Sequence, residues 1–543
     1  MTASKQSPKM LKASLLIPLL CISILAYDFR CPQLEQTTSC KCRGTFEWWN
    51  NRNVSILNCS AVSLQTIPNL YGDQSSYAIT KLFLNGNNLT RIKASEFLPL
   101  QQVNEIDLSR NVIETLENDS LSLVSRHLTR LVLEGNRIAL DQGLWFLRGL
   151  HTLNELVLDS NTIQNEYHTL PGILFRDLQL TSLRKLSIKN CGISKVTPTA
   201  FLGLDHVEEL DLSYNHLESV PEAINVMKKL QKLVLYDNNI AILSDHSFRG
   251  LHMLAEIDMS LNMMSNIESD AFSGLEESLT ELKLYSNALS AIPSNSLHKL
   301  RKLHFLDLSK NNIQFIQGNA FNGLPNLKML ELDYNPLIYY HEMFSGLEDT
   351  LETLTLRATK LTSFPVNALS SLRKLTDLDL SMNQISKPMG IGKLWLKNLA
   401  LARNNIVSLS PSAFSGLSRS ISVDLDNNNI TSISFLLEVT PCSFSYLDLV
   451  GNPVKCDCDT ERIINSGMIL GIGGTCTLKN GMTYELNSGS TSGVIQHLTQ
   501  KCNTTERTLN CVNMQFLSTS SAATSQVTFV YVLVMALLWN LLK

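Results

Sequence analysis

Apolar and polar positions recur in one figure, L-x-x-L-x-L-x-x-N-x-L, which returns about every 24 residues between 76 and 451. VEELDLSYNHL (207–217), LTELKLYSNAL (279–289) and LHFLDLSKNNI (303–313) are clear copies. In the first, Leu210 and Leu212 stand two apart and so point to the same side of a short strand, the core side. The closing polar position falls at Asn87, Asn111, Asn136, Asn161, Cys191, Asn215, Asn238, Asn262, Asn287, Asn311, Asn335, Thr359, Asn383, Asn404, Asn428 and Asn452. An amide there can pair turn backbone that would otherwise be buried without partners. Cys191 and Thr359 carry fewer hydrogen-bonding atoms, so their turns are expected to be less well satisfied. The second half of many repeats reads A-F-x-G-L, and its phenylalanines Phe201, Phe272, Phe321 and Phe414 are expected to stack as a spine. One repeat cannot bury its apolar face alone. The pattern therefore predicts an α/β solenoid of about 16 repeats with a parallel sheet on its concave face and protected ends.

Two intervals break the period. The one from Asn161 to Cys191 is longer, and the one from Asn383 to Asn404 is shorter, with SKPMGIGKL in place of the phenylalanine motif. Each is expected to perturb the stack locally, as a tolerated insertion more often than as a contact site.

Cysteines gather near the ends of the chain. Cys31-Pro32, Cys40-Lys41-Cys42 and Cys59 precede the repeats, and Cys456-Asp457-Cys458, Cys476 and Cys502 follow Asn452-Pro453. Four cysteines allow three pairings in each group. A zinc site is a weak reading, since no histidines stand at ligand spacing. With the repeats between them, these groups resemble the caps of the extracellular leucine-rich-repeat family. The resemblance implies a leucine-rich-repeat horseshoe with disulfide-bonded caps at both ends, pairing Cys31 with Cys42, Cys40 with Cys59, Cys456 with Cys476 and Cys458 with Cys502. The opening C-P-x7-C-x-C is similar to arthropod members such as the non-catalytic subunit of oplophorus-luciferin 2-monooxygenase, while the C-terminal tail is similar to connectin and chaoptin. Cys442 and Cys511 remain and are expected to pair with each other. Cys191 reads as a buried ladder thiol.

Both ends carry processing signals. Lys5, Lys9 and Lys12 precede the apolar run 15–26, which is too short to span a bilayer and suits a secretory leader cleaved at Ala26 or Ser23. Residues 527–543 form an apolar tail behind the small polar stretch 518–526, the pattern of a glycosylphosphatidylinositol (GPI) signal with attachment at Ser518. The expected organisation is a signal peptide (1–26), an N-terminal cap (27–75), repeats (76–451), a C-terminal cap (452–511), a polar stalk with the attachment region (512–526) and a hydrophobic tail (527–543). N-x-S/T sequons predict glycosylation at Asn53, Asn58, Asn88, Asn118, Asn429 and Asn503, with a cap cysteine inside the one at Asn58.

Charge narrows the function. With 45 Lys+Arg against 49 Asp+Glu, the chain lacks the basic excess of a nucleic-acid binder. Strand residues flanking the paired leucines line the concave side and include many acids, among them Glu105, Glu209, Asp258, Glu331, Asp333, Asp379 and Asp424. Several belong to the common L-D-L-S form of the repeat. The surface is expected to prefer basic partners. Tyr214, Tyr236, Tyr285, Phe305 and Tyr334 are candidate ligand contacts, because aromatic rings bury large area at low entropic cost. GSTSG (489–493) has Thr491 where a nucleophile elbow needs serine, and GIGGTC (471–476) lacks the last glycine of a dinucleotide loop. No catalytic residue, metal or cofactor is expected. The expected function is recognition or adhesion at the cell surface: binding of an extracellular protein or glycoconjugate, membrane attachment through the lipid, and homodimerisation left open. A secreted non-catalytic binding subunit or an innate-immune recognition protein is the alternative.

Overall fold

The computed structural model describes residues 33–34, 39–47, 52–68, 70–71, 79–172, 174–467 and 469–486. The expected signal peptide 1–26, Cys31, Cys502, Asn503, Cys511, Ser518 and the tail 527–543 lie outside the described residues. The chain divides into two compact units, one running to Leu217 with Pro221–Leu233, the other comprising Glu218–Val220 and the chain from Val234 onward.

In the first unit an antiparallel hairpin, Lys41–Glu47 against Arg52–Asn58, opens the sheet. Parallel strands follow in chain order at Lys81–Phe83, Glu105–Asp107, Arg130–Val132, Glu155–Val157, Lys185–Ser187 and Glu209–Asp211. Cys40 is bonded to Cys59, and Cys42 is also disulfide-bonded. The second unit continues the same scheme from Glu256–Asp258 through Glu281–Lys283, Phe305–Asp307, Met329–Glu331, Thr353–Thr355, Asp377–Asp379, Asn398–Ala400, Ile421–Asp424 and Phe444–Asp448 to Ile472–Gly473. After the last ladder position comes the helix Cys458–Ser466, started by Asp457 accepting from Thr460 N–H and ended by Gly467 at φ 65°. Cys456 is bonded to Cys476, while Cys442 and Cys458 are disulfide-bonded as well.

Most strands are three residues long with a fully buried middle residue and half-exposed neighbours, as two-residue periodicity requires. The closing asparagines, buried except for the half-buried Asn287, work as a ladder. Asn335, for example, accepts from Ile313 N–H at 3.0 Å and donates to the carbonyls of Leu308 and Leu332 at 2.9 and 3.0 Å. Each such amide spans its own repeat and the one before. Cys191 donates Sγ to the carbonyls of Leu158 and Lys189, and burial pushes its thiol up to about 12, so it is the inert rung expected from the sequence. Thr359 departs from expectation. Its hydroxyl donates to Leu356 O at 2.8 Å and meets the Tyr339 hydroxyl at 2.7 Å, so a residue of the preceding repeat fills the place of the missing amide.

The residue before each ladder position is a second invariant, and all sixteen have positive φ, between 50° and 72°. That twist aims the backbone N–H at the next repeat, as from Lys310 N–H to Asp333 O and from Tyr334 N–H to Arg357 O. The phenylalanines are buried and meet in pairs: Phe248 with Phe272 at 5.9 Å, Phe321 with Phe344 at 6.5 Å and Phe414 with Phe435 at 5.8 Å between ring centroids. The glycine of A-F-x-G-L has a steric role, since a Cβ on Gly323 would lie 1.9 Å from His298 O at a φ of 88°. In the long interval, Asp141 receives the N–H groups of Gln164 and Asn165, which ties the insertion to the preceding repeat and leaves Tyr167 72% exposed.

Removing one rung amide orphans three buried backbone groups. Asn335→Ala is therefore expected to cost about 3 kcal/mol, against about 1 kcal/mol for Tyr339→Phe, where Thr359 keeps its bond to Leu356; equal losses in paired chemical-denaturation curves would contradict this account of the ladder.

Candidate functional site

The outward strand positions of the two units differ in how their charges are used. In the first unit they are consumed by neighbours. Glu105 lies 3.2 Å from Lys81 and 3.0 Å from Arg130, which also reaches Glu155 at 3.0 Å. Lys185 meets Glu209 at 2.7 Å, and Lys189 lies 3.4 Å from Asp159 and 3.8 Å from Asp211. Burial lowers the Arg130 pKa, but its two carboxylates outweigh that and hold it above the usual value.

Many of the acids serve the repeat itself. The carboxylates of Asp107, Asp211, Asp258, Asp307, Asp379, Asp424 and Asp448 each accept the N–H two residues ahead. This local bond is the Asx-type cap that shapes the turn after the strand. The aspartate of L-D-L-S is thus structural, and the acidic content read from the sequence overstates the charge free for a ligand.

Excess acid concentrates at one place in the second unit. Parallel register sets Asp307 beside Glu331, and Asp333 lies two residues beyond on the same strand face. Asp307 was not among the acids picked from the sequence. Burial pushes Glu331 up to about 8, reinforced by Asp307 and Asp333 and opposed by Arg357 and Lys283. Burial likewise lifts Asp333 to about 6 against its bonds from Arg357 N–H and Thr355, with Asp379 pushing the same way as burial. Asp307 and Asp424 are also raised, mainly by burial. Lys283 is shared with Glu256 at 3.1 Å and Glu281 at 3.7 Å, and Arg357 reaches Asp379 at 3.7 Å.

The five aromatic candidates do not form one row. Tyr214 belongs to the first unit, where it is 50% exposed at one of the positive-φ positions. Tyr236 and Tyr285 stand two residues before their ladder asparagines and are half-buried. Phe305 opens its strand between Glu281 and Met329. Tyr334 sits one residue before Asn335, with its hydroxyl donating to Met382 Sδ at 3.4 Å. Lys310 Nζ lies 5.3 Å from the Tyr285 ring centroid, so this ring already holds a cation. Tyr446, on the strand Phe444–Asp448 and 43% exposed, was not among the sequence candidates, although Phe444, Leu447, Leu449 and Asn452 keep the repeat figure around it. Of the sequons, Asn58, Asn88, Asn118 and Asn429 are exposed; Asn58 Oδ1 accepts from Ser60 N–H, and the Cys59 between them is buried. Asn53 lies on the strand Arg52–Asn58. Among the described residues no group of three or more His, Cys, Asp or Glu could hold a metal ion.

A raised carboxyl pKa means that the folded chain binds a proton the unfolded chain releases. The contribution of Glu331 is fully present below about pH 4.3 and is lost as pH rises through about 8. Melting temperature is therefore expected to fall between pH 5 and 8.5, and Glu331→Gln to flatten that slope and raise melting at pH 8.5 by a few degrees; an unchanged slope would count against the crowding of these three acids.

Comparison with known proteins agrees with this geometry. The family described as "Leucine rich repeat" matches residues 181–240, 228–278, 277–337 and 396–454. The human leucine-rich repeats and immunoglobulin-like domains protein 3 is 30% identical over 37% of this chain, mouse Toll-like receptor 9 is 30% identical over 31%, and mouse opticin is 27% identical over 34%. These matches span 16%, 17% and 44% of the relatives' own lengths. A leucine-rich-repeat protein of Leptospira interrogans superposes with TM-score 0.50 at 24% identity, covering 75% of this chain and 92% of that one. A glycosylated Toll–Spatzle complex of Drosophila gives 0.55 at 18%, covering 78% and 70%. The repeats are leucine-rich repeats, and the fold they build is the leucine-rich-repeat solenoid with disulfides at both ends.

Proposed function

We propose that this protein is a cell-surface recognition or adhesion molecule without chemistry of its own, held by a GPI anchor at Ser518 after removal of residues 1–26. Its ligand is an extracellular protein or glycoconjugate with basic groups. The observation that carries this reading is the inner strand face of the second unit, where Tyr285, Phe305 and Tyr334 flank the crowded carboxylates Asp307, Glu331 and Asp333. Rings beside acids suit cationic side chains. The relatives include a receptor, which supports binding rather than catalysis. The leader and the short apolar tail support the surface location.

A secreted binding subunit or immune recognition protein, with the tail trimmed, is the second reading, and it has the same repeats and caps behind it. Release of the protein from intact cells by phosphatidylinositol-specific phospholipase C is expected under the first; a soluble pool in untreated medium with nothing on the surface favours the second. Once a ligand is captured with the mature ectodomain, Tyr285→Ala with Phe305→Ala is expected to weaken binding at least about tenfold, and added salt to weaken it further. Salt-insensitive binding, or full affinity in the double variant, would remove this face from the mechanism.

A further inference from the structure

A different surface of the second unit has its charges arranged the other way round. Residues 360–420 contain eight lysines and arginines and two acids, Asp377 and Asp379, both on one inner strand. Three neighbouring repeats carry Lys374, Trp395 and Arg419 nine residues ahead of their ladder positions, on the turn that leads into the strands. Those strands pair side by side, Asp377 with Asn398 and Asn398 with Ser422, so the three residues form a row along the leading edge. Lys393 and Lys397 flank the tryptophan.

The row is built rather than incidental. Trp395 is 52% exposed and keeps its place because Arg419 stacks on its ring, 5.0 Å from the centroid, while Arg419 Nη2 donates to Trp395 O at 2.5 Å. Arg419 Nε is buried with no hydrogen-bond partner among the described residues. Burial depresses this guanidinium, and Asp377, the acid that opposes the depression, is occupied by the Asn398 amide at 2.5 Å. Lys374, Lys393 and Lys397 are exposed and form no ion pair within 4.0 Å among the described residues, whereas neighbouring Arg373 is neutralised by Asp349 at 2.6 Å.

We infer that this edge, formed by Lys374, Lys393, Trp395, Lys397 and Arg419, binds a sulfated polysaccharide chain apart from the inner face. The cations lie in a line with the repeats, which suits a linear polyanion. The free face of Trp395 can pack on the apolar C–H face of a sugar ring while lysines meet the sulfates. An anionic membrane fits less well, because one face of Trp395 is already covered by Arg419 and offers little to insert.

The whole chain has a net charge of −4, so retention on a sulfated polymer reports a local patch and not bulk charge. The test uses the full disulfide-bonded protein on a heparin column and in titrations with size-defined heparin oligosaccharides. Wild type is expected to be retained at physiological salt. The triple variant Lys374→Gln, Lys393→Gln, Lys397→Gln should elute earlier, with the slope of log affinity against log salt smaller by about 3. Trp395→Ala should weaken affinity without changing that slope, and Lys228→Gln with Lys229→Gln, exposed lysines of the first unit, should behave as wild type. Unchanged melting curves establish that the lysine variants fold. Flow-through of the wild type, wild-type elution of the triple variant, or capture by phosphatidylserine vesicles without heparin retention would overturn the proposal.

Discussion

Everything in this fold depends on one obligation: turn backbone buried between stacked repeats must find hydrogen-bond partners away from water. The ladder amides meet it, each joining its own carbonyls to an N–H and a carbonyl of the preceding repeat. With the turns satisfied, leucines can close over them and three-residue strands, too short to persist alone, can line up in register. The inner face is a by-product of that stacking. Its residues are brought side by side because their neighbours two positions away are locked in the core, and this is why charge on one strand meets charge on the next.

That dependence explains which features could be read from the sequence. Strand positions, core leucines, rung residues and the buried phenylalanines follow from periodicity, since a side chain's direction on a strand is set by its place in the figure. Cys191 as a buried rung followed from the same reading, and the Cys40–Cys59 and Cys456–Cys476 disulfides followed from the family resemblance. Tyr339 as a substitute for an amide did not, because it answers a gap at Thr359 that only three-dimensional placement reveals.

The candidate site was less legible for a related reason. Aspartates of L-D-L-S look like ligand-facing charge in one dimension, yet each is engaged with an N–H two residues ahead. Glu331 looks no different from other acids, and only its burial between Asp307 and Asp333 singles it out. The five aromatic candidates share a neighbourhood in sequence but occupy three different positions of the repeat and two units of the chain. Electrostatics and ring packing depend on distances across strands, which no pattern along the chain encodes.

The left-handed residue before each rung bears on how any mutational map of this surface is interpreted. None of the sixteen is β-branched or proline, although they include tyrosine, leucine, lysine, arginine and methionine. Side chains there face solvent and tolerate wide chemistry, while their backbones admit only residues that accept positive φ. A scanning library that places valine, isoleucine, threonine or proline at Tyr214 or Tyr334 would lose binding through a distorted turn and mimic the loss of a contact. Glycine and asparagine at the same two positions remove the ring and spare the backbone, and so separate the interface from the scaffold beneath it.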